Sequence, residues 1–210
     1  MKYFIKKCTC IVILFFGLLF STYGIDSLKY SFSFNYYKDL SDTYDGGDLL
    51  SCEFMIHKSC FGLLISYGDF QSHSIFDYTV FIEEVNKTLS IKFDEFAIMK
   101  TASISGMIIP VNNKIVAAEI IVGLAFCKAQ GSQFHDLDYS YSFIENRFNY
   151  LYKNYEYFKE THFGYQLGIN TKFFVLPRFG IQLSARMQDL SNGGTFFFAG
   201  GGLCFKLNQY

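Results

Sequence analysis

Residues 162–170 read His-Phe-Gly-Tyr-Gln-Leu-Gly-Ile-Asn, and this stretch decides the class of fold. Large apolar residues alternate with small or polar ones without a break: Phe163, Tyr165, Leu167 and Ile169 against His162, Gly164, Gln166, Gly168 and Asn170. A period of two is that of a β-strand, whose side chains point alternately to two faces. The stretch therefore predicts a strand with one face against an apolar environment.

The same alternation recurs on both sides of this strand. It occupies residues 28–36, 49–58, 61–68, 116–126 and 179–187, with a fourth strand of mixed periodicity within 89–110 and a last strand over 196–210. Short turns are predicted near residues 59, 112 and 175, and longer connections near 43, 78, 144 and 191. The sequence thus predicts an all-β fold of eight strands of about ten residues each.

The composition supports a folded chain and argues against two classes of protein. The 210 residues are 50% hydrophobic and 20% aromatic, with only two prolines, which excludes a disordered chain. The net charge is −1, and lysine and arginine form no cluster after the N-terminus, so no nucleic-acid partner is expected.

The first 24 residues are typical of an export signal. Lys2, Lys6 and Lys7 precede an apolar run over residues 10–20, and small residues follow up to Gly24. An uncleaved anchor is the alternative, but the run is about half of the roughly 20 residues that span a bilayer. We expect a signal peptide over 1–24, cleavage after Gly24, and a mature domain over 25–210.

Cysteines give no sign of a metal or cofactor. The mature chain keeps Cys52, Cys60, Cys127 and Cys204, without a CxxC pair or Cys/His ligand spacing. We expect apolar thiols and no metal or cofactor, and a Cys52–Cys60 disulfide across a hairpin stays an open alternative.

The connections alternate between short and long along the chain, and each strand carries one apolar face. In these features the mature sequence resembles the small eight-stranded outer-membrane β-barrel proteins of Gram-negative bacteria, the porin-family type of β-barrel domain. The resemblance implies an antiparallel up-and-down transmembrane barrel, monomeric in outer-membrane lipid and inserted by the barrel-assembly machinery. Members of such families usually end on an aromatic in phase with the outward residues, whereas Tyr210 is out of phase with Leu203 and Phe205. The rival interpretation is a soluble periplasmic ligand-binding barrel with its apolar faces inward.

An outward apolar face places several charged side chains in the barrel interior or at its rims. These are Glu53, Glu119, Lys172, Arg178 and Arg186. Because buried charges require partners, we predict that Glu53 and Glu119 pair with Arg178, Arg186 or other basic neighbours as a structural plug. An ion path is the less favoured alternative, since side chains fill a lumen of eight strands.

The outer loops are expected to carry any surface function, through residues 38–48, 71–88 and 128–160. Tyrosines concentrate in the last of these, at Tyr139, Tyr141, Tyr150, Tyr152, Tyr155 and Tyr157. They predict a recognition surface for a protein or glycan, or aromatic girdles at the membrane boundary. Asp39, Asp42, Asp45 and Asp48 form an acidic loop, either solvated or binding calcium.

An enzymatic alternative rests on residues 186–194. This stretch resembles the segment of outer-membrane lipid A deacylases that carries a His and, two residues later, a Ser followed by Asn. Ser191 and Asn192 match the Ser-Asn pair, but the His position is Asp189, a poor base for a serine hydroxyl near neutral pH. His162 is a substitute base only if folding brings it to Ser191, so the favoured prediction is a non-enzymatic barrel with a structural or surface-recognition role.

Overall fold

The computed structural model describes residues 28–41, 46–82, 86–142 and 144–207, and in this part of the chain eight antiparallel strands close into one barrel. They are β1 (Lys29–Asp39), β2 (Gly47–Lys58), β3 (Phe61–Ile82), β4 (Lys87–Asn112), β5 (Val116–Ser142), β6 (Arg147–Phe174), β7 (Phe179–Leu190) and β8 (Gly194–Lys206). Each strand pairs with its neighbour in the chain, and β8 pairs with β1. The predicted eight-stranded up-and-down barrel is confirmed. The predicted signal peptide and Tyr210 lie outside the described residues.

The apolar face of every strand points outward. On β1, Ser33, Asn35 and Tyr37 are buried in the lumen while Phe34 and Tyr36 are exposed on the outer surface. The rival arrangement, with apolar faces inward, is therefore wrong. No helix of the described residues is long and apolar enough to cross a membrane.

Short turns join the strands at one end of the barrel, at residues 59–60, 113–115 and 175–178. The second turn is held by the side chain of Asn113, whose Oδ1 accepts hydrogen bonds from the backbone N–H groups of Ile115 and Val116 at 2.9 and 2.6 Å. Pro110 lies in a β-bulge just before this turn, where β4 and β5 shift register between Ile108 and Val111 and no ladder N–H is needed.

Two of the predicted loops are wrong in their secondary structure. Residues 71–88 and 128–160 are mostly strand, because β3 to β6 are 22, 26, 27 and 28 residues long, against 11 to 13 for the other strands. A strand that crosses a membrane needs about 9–11 residues. The four long strands therefore continue as two hairpins beyond the barrel.

Closure of the barrel depends on the small residues of β8 facing β1. Gly202 pairs with Asn35, and a Cβ added to it would overlap the backbone oxygen of Phe34 and lie 2.6 Å from the side-chain oxygen of Asn35. Both neighbours belong to one strand, so the overlap falls on the seam that closes the sheet.

We expect Gly202→Ala to lower the free energy of unfolding by about 2 kcal/mol, because overpacking forces the β1–β8 seam apart. The measurement is the midpoint of urea unfolding of the detergent-folded protein, and the heat-dependent gel shift reports the fraction that is folded at each urea concentration. Gly106→Ala is the matched control, since its Cβ would meet only the Val122 oxygen, at 3.8 Å. Equal midpoints for the two variants would contradict the crowded seam.

Candidate functional site

An apolar belt surrounds the outer surface of the barrel. Its members are exposed, as for Leu124 at 68% and Phe163 at 66%. From the short turns up to the first polar outward positions, the described strands carry no outward charge other than Lys58, the last residue of β2. About ten residues per strand at about 3.3 Å each, tilted by about 40°, give a belt roughly 25 Å tall. That height matches the apolar band with which transmembrane β-barrels contact the hydrocarbon core of the membrane.

A ring of polar side chains ends the belt on the side of the long strands. This polar ring consists of Lys38, Asp48, Asp69, Lys100, Lys128, Thr161, Asp189 and Thr195. Cross-strand pairing brings its members to one level: Lys38 with Asp48, Asp69 with Lys100, Lys100 with Lys128, Lys128 with Thr161, and Asp189 with Thr195. The ring therefore marks where the apolar surface gives way to water or lipid headgroups.

Tyrosines line the lower side of the polar ring. Tyr36, Tyr67 and Tyr165 are the outward residues next to Lys38, Asp69 and Asp189. The Tyr36 hydroxyl donates to Asp48 at 2.6 Å, and the Lys38 ammonium lies 3.0 Å from the same oxygen. These two donors hold the pKa of the Asp48 carboxyl below its usual value. The aromatic girdle at this boundary therefore consists of tyrosines that lie outside the Tyr-rich segment 128–160.

The centre of the lumen holds a buried ion pair between Glu53 and Arg186, whose closest atoms are 2.5 Å apart. The hydroxyl of Tyr37 donates to the Glu53 carboxylate at 2.9 Å, and the amide of Gln182 donates to it at 3.1 Å. The Arg186 guanidinium also lies over the Tyr37 ring, 5.2 Å from its centroid. Glu53 is thus desolvated and fully engaged by polar partners.

A second ion pair is linked to the first through Asn170. The Lys172 ammonium lies 2.7 Å from Glu119, and both side chains are buried. Asn170 donates to Glu119 at 3.0 Å, while its oxygen accepts from Ser184 at 2.8 Å and lies 3.5 Å from the Arg186 guanidinium. The residues of the two ion pairs and their hydrogen-bond partners form what we call the lumen network: Tyr37, Glu53, Glu119, Asn170, Lys172, Gln182, Ser184 and Arg186. Of the predicted interior charges, Arg178 stands apart, because it is exposed in the turn between β6 and β7.

Apolar clusters lie above and below the lumen network, a feature that the alternation did not predict. The upper cluster, toward the long strands, contains Tyr37, Leu49, Phe70, Met99, Ala125, Cys127, Ala129, Leu190, Phe196 and Phe198. The lower cluster contains Met55, Leu64, Met107, Ile109 and Ile121. In the sequence, Met55 interrupts the polar lumen-facing side of β2, between Glu53 and His57. The lumen is consequently packed with side chains at three levels.

Beyond the polar ring the long strands form two hairpins, which we call the distal hairpins: residues 73–82 and 86–96 of β3–β4, and residues 132–142 and 144–157 of β5–β6. β2 pairs with β3 only as far as Ser72, and β7 pairs with β6 only as far as Gly164. The hairpins therefore continue past the closed part of the barrel.

Aromatic rings join the bases of the distal hairpins. The rings of Phe93 and Phe134 have centroids 3.9 Å apart, and Tyr78 lies 5.7 and 5.6 Å from them. The Lys153 ammonium donates to the backbone oxygen of Lys92 at 2.6 Å. Tyr155 also borders this cluster, 6.4 Å from Phe134. These contacts fix the two hairpins against each other near the barrel.

The six predicted recognition tyrosines all lie on the distal hairpins, on strands rather than in a loop. Tyr139 and Tyr141 are on β5, and Tyr150, Tyr152, Tyr155 and Tyr157 are on β6. Tyr139 and Tyr141 pack on Phe148, and Tyr150 stacks on Tyr152. Tyr152 and Tyr157 are 62% and 79% exposed, so the hairpins display aromatic surface to solvent.

Ser191 lies exposed in the turn between β7 and β8, close to His162. The ring Nδ1 of His162 is 3.1 Å from the backbone oxygen of Ser191, and its Nε2 is 3.3 Å from a Glu160 oxygen. Both ring nitrogens therefore contact groups other than the serine hydroxyl. A serine nucleophile needs a base on that hydroxyl, and His162 is not oriented to serve as one.

The acidic loop and the cysteines offer no further site among the described residues. Asp42 and Asp45 lie outside them, while both oxygens of Asp39 accept from the Ser41 hydroxyl at 2.8 Å. No group of three or more metal-ligating side chains occurs in the described ranges. Cys52 and Cys60 are free thiols, so the alternative of a disulfide between them is wrong.

Comparisons with known proteins identify the fold and nothing finer. No protein-family model and no curated protein matches the sequence. Among solved structures, a major outer membrane protein from Thermus thermophilus matches with a TM-score of 0.54 at 12% identity, over 86% of this chain and 99% of that chain. OprG from Pseudomonas aeruginosa matches with 0.54 at 7% identity, over 88% and 98%. Neisserial surface protein A matches with 0.50 at 10% identity, over 88% and 100%. The chain has the fold of small outer-membrane β-barrels.

Removing one partner of the central ion pair should destabilise the barrel. We expect Glu53→Ala to cost about 3–5 kcal/mol, because Arg186 is left as an uncompensated buried charge. The measurement is equilibrium urea unfolding in micelles. Replacing both partners, as Glu53→Leu with Arg186→Met, should recover most of the loss.

Glu145→Ala is the matched control, since Glu145 forms an exposed ion pair with Arg147 at the tip of a distal hairpin. An exposed pair contributes at most about 1 kcal/mol. A loss for Glu53→Ala no greater than that of the control would contradict a structural role for the lumen network.

Lipid A should keep its acyl chains with the wild type as it does with Ser191→Ala, because the His162 ring nitrogens contact the Ser191 backbone oxygen and Glu160 rather than the Ser191 hydroxyl. Purified lipid A is incubated with folded wild type and with the variant, and its acyl chains are counted by mass spectrometry. Equal, complete acylation in both samples is expected. Loss of an acyl chain with the wild type alone would show the hydrolase that this geometry argues against.

Proposed function

We propose that this chain is an integral outer-membrane β-barrel, exported by residues 1–24 and cleaved after Gly24. The apolar belt is the observation that supports the membrane location most directly. It surrounds the whole barrel, and the polar ring bounds it on the side of the long strands. A surface of this size in contact with water would cause aggregation, whereas lipid covers it at no cost. The short turns would then face the periplasm and the distal hairpins the outside.

The role of the barrel is non-enzymatic and consists of presenting the distal hairpins to surface partners. Tyrosine supplies rigid, amphipathic contact area, and the exposed Tyr152 and Tyr157 lie beyond the polar ring. The aromatic cluster of Tyr78, Phe93 and Phe134 holds the hairpins in one arrangement, so little order has to be gained on binding. A protein or a glycan fits this surface.

Solute passage is not part of this proposal. The upper cluster, including Phe70, Phe196 and Phe198, and the lower cluster, including Met107 and Ile121, pack the lumen on both sides of the ion pairs. The buried charges thus serve the stability of the barrel rather than transport.

Shortening the distal hairpins should separate assembly from recognition. Residues 75–94 and 134–155 are each replaced by Asn-Gly, which joins residue pairs already in register, Ser74 with Glu95 and Gln133 with Glu156. We expect the shortened chain to reach the outer-membrane fraction and to keep the heat-dependent gel shift of a closed barrel. Cells that display it should no longer bind to arrays of glycans and extracellular proteins recognised by wild-type cells.

The matched variant keeps the full hairpins and changes only the exposed aromatics, as Tyr150→Ser, Tyr152→Ser and Tyr157→Ser. It should fold as the wild type does and lose the same array signals. Undiminished binding by the shortened chain would refute recognition by the hairpins. A wild-type protein found soluble in the periplasm would refute the membrane barrel itself.

A further inference from the structure

Three lysines meet on the outer surface where the apolar belt ends. Lys100 on β4 lies directly opposite Lys128 on β5, and both side chains are exposed on the outward face. Lys128 lies opposite Thr161 on β6, and Gln130 lies opposite Lys159, so Lys159 is the diagonal neighbour of Lys128. We call Lys100, Lys128 and Lys159 the lysine triad.

Positive charge in the triad exceeds the negative charge beside it. Like charges directly opposite each other destabilise a sheet, and Lys100 and Lys128 have this placement. None of the ion pairs among the described residues includes a lysine of the triad. Asp69 on β3, opposite Lys100, is the one carboxylate of the polar ring beside them. By contrast, Lys38 of the same ring binds Asp48 at 3.0 Å. The triad lacks such a partner and is suited to an anion from outside the chain.

The position of the triad indicates which anion that is. The outward residues just below Lys100 and Lys128 are Ala102 and Phe126, and the Phe126 ring packs on Phe163 with centroids 4.9 Å apart. Acyl chains would lie on this apolar surface, and the ammonium groups would reach the headgroups directly above it. Thr161, opposite Lys128, adds a hydroxyl at the same level.

We propose that the lysine triad binds the phosphate of a phosphorylated glycolipid in the outer leaflet. This inference rests on the proposed membrane location, in which the distal hairpins point outward. Two neighbouring ammonium groups match the double charge of a phosphomonoester better than the single charge of a phospholipid phosphodiester. The lipid phosphate would also relieve the repulsion between Lys100 and Lys128.

Lipid binding to the folded full-length barrel in micelles tests this proposal, with native mass spectrometry as the readout. The probes are bisphosphorylated lipid A, lipid A from which both phosphates have been removed, and phosphatidylglycerol. A lysine near a membrane surface contributes about 1 kcal/mol of attraction to anionic lipid, so the double variant Lys100→Gln, Lys128→Gln should bind bisphosphorylated lipid A about 30-fold more weakly. The variant with arginine at both positions should retain binding.

Lys58→Gln is the matched control, because Lys58 is an exposed outward lysine at the opposite end of the barrel. Its affinity for lipid A should equal that of the wild type. Unchanged affinity of the double glutamine variant, an equal loss for Lys58→Gln, or equally tight binding of phosphatidylglycerol or phosphate-free lipid A would each overturn the proposal.

The heat-dependent gel shift of the same preparations distinguishes a failure of the lysine-triad proposal from a failure of the proposed membrane barrel. A wild type without the shift counts against the proposed barrel, whereas a shift without lipid A selectivity counts against the triad alone. If the double variant fails to fold, Lys159→Gln decides, because Lys159 lies farther from the belt. It should lose about fivefold in affinity, and an unchanged value would reject the site.

Discussion

Pairing of β8 with β1 is the constraint on which the rest of this structure depends. It removes the sheet edges of the barrel and pairs the part of every strand that lies within the barrel with a neighbour on both sides, the condition for backbone in a lipid core. Closure also fixes a narrow interior, so alternate side chains must share a small lumen while the others face outward. The glycines of β8 facing β1 are a consequence, because the β1 backbone leaves no room for a Cβ at Gly200 or Gly202.

The lumen offsets the cost of burying charge by giving its charged groups several polar partners. Glu53 accepts from Arg186, Tyr37 and Gln182, so its charge is distributed over three partners on two strands, β1 and β7. Asn170 uses its N–H on one ion pair and its oxygen on the side of the other, which links the two pairs. With apolar clusters on either side, water has little access to compete for these bonds. An ion pair buried in this way specifies one arrangement of the strands, since slipping the register by one residue would place its charges in the belt.

Much of this architecture follows from the sequence, because closure imposes a period of two. Within the belt each strand has lipid-like surroundings on one side and a crowded lumen on the other, and residues 162–170 show the resulting alternation without a break. Glu53 and Arg186 stand on small or polar faces, so their place in the lumen could be anticipated, although their pairing depends on three-dimensional register. Arg178 has the same phase as Arg186 but falls in a turn, where alternation has no meaning. The distal hairpins escaped prediction for a related reason: beyond the polar ring most side chains on both faces of a strand meet water, so Tyr139, Tyr150 and their neighbours follow no period.

The unequal strand lengths divide the molecule into parts with separate physical demands. β1, β2, β7 and β8 end close to the polar ring, whereas β4 to β6 pass through it and carry the lysine triad at the level where they leave the belt. The distal hairpins thus rise from the segment of the ring with the greatest positive charge. A lipid phosphate bound there would contact three strands at once, at the base of the hairpins. Because a continuous β-strand transmits position along its length, holding the strands at this level would also limit the motion of the hairpins above. The same three strands would then carry both the exposed tyrosines and the lysines that bind the surrounding lipid. The four short strands would close the barrel and hold these three strands in place.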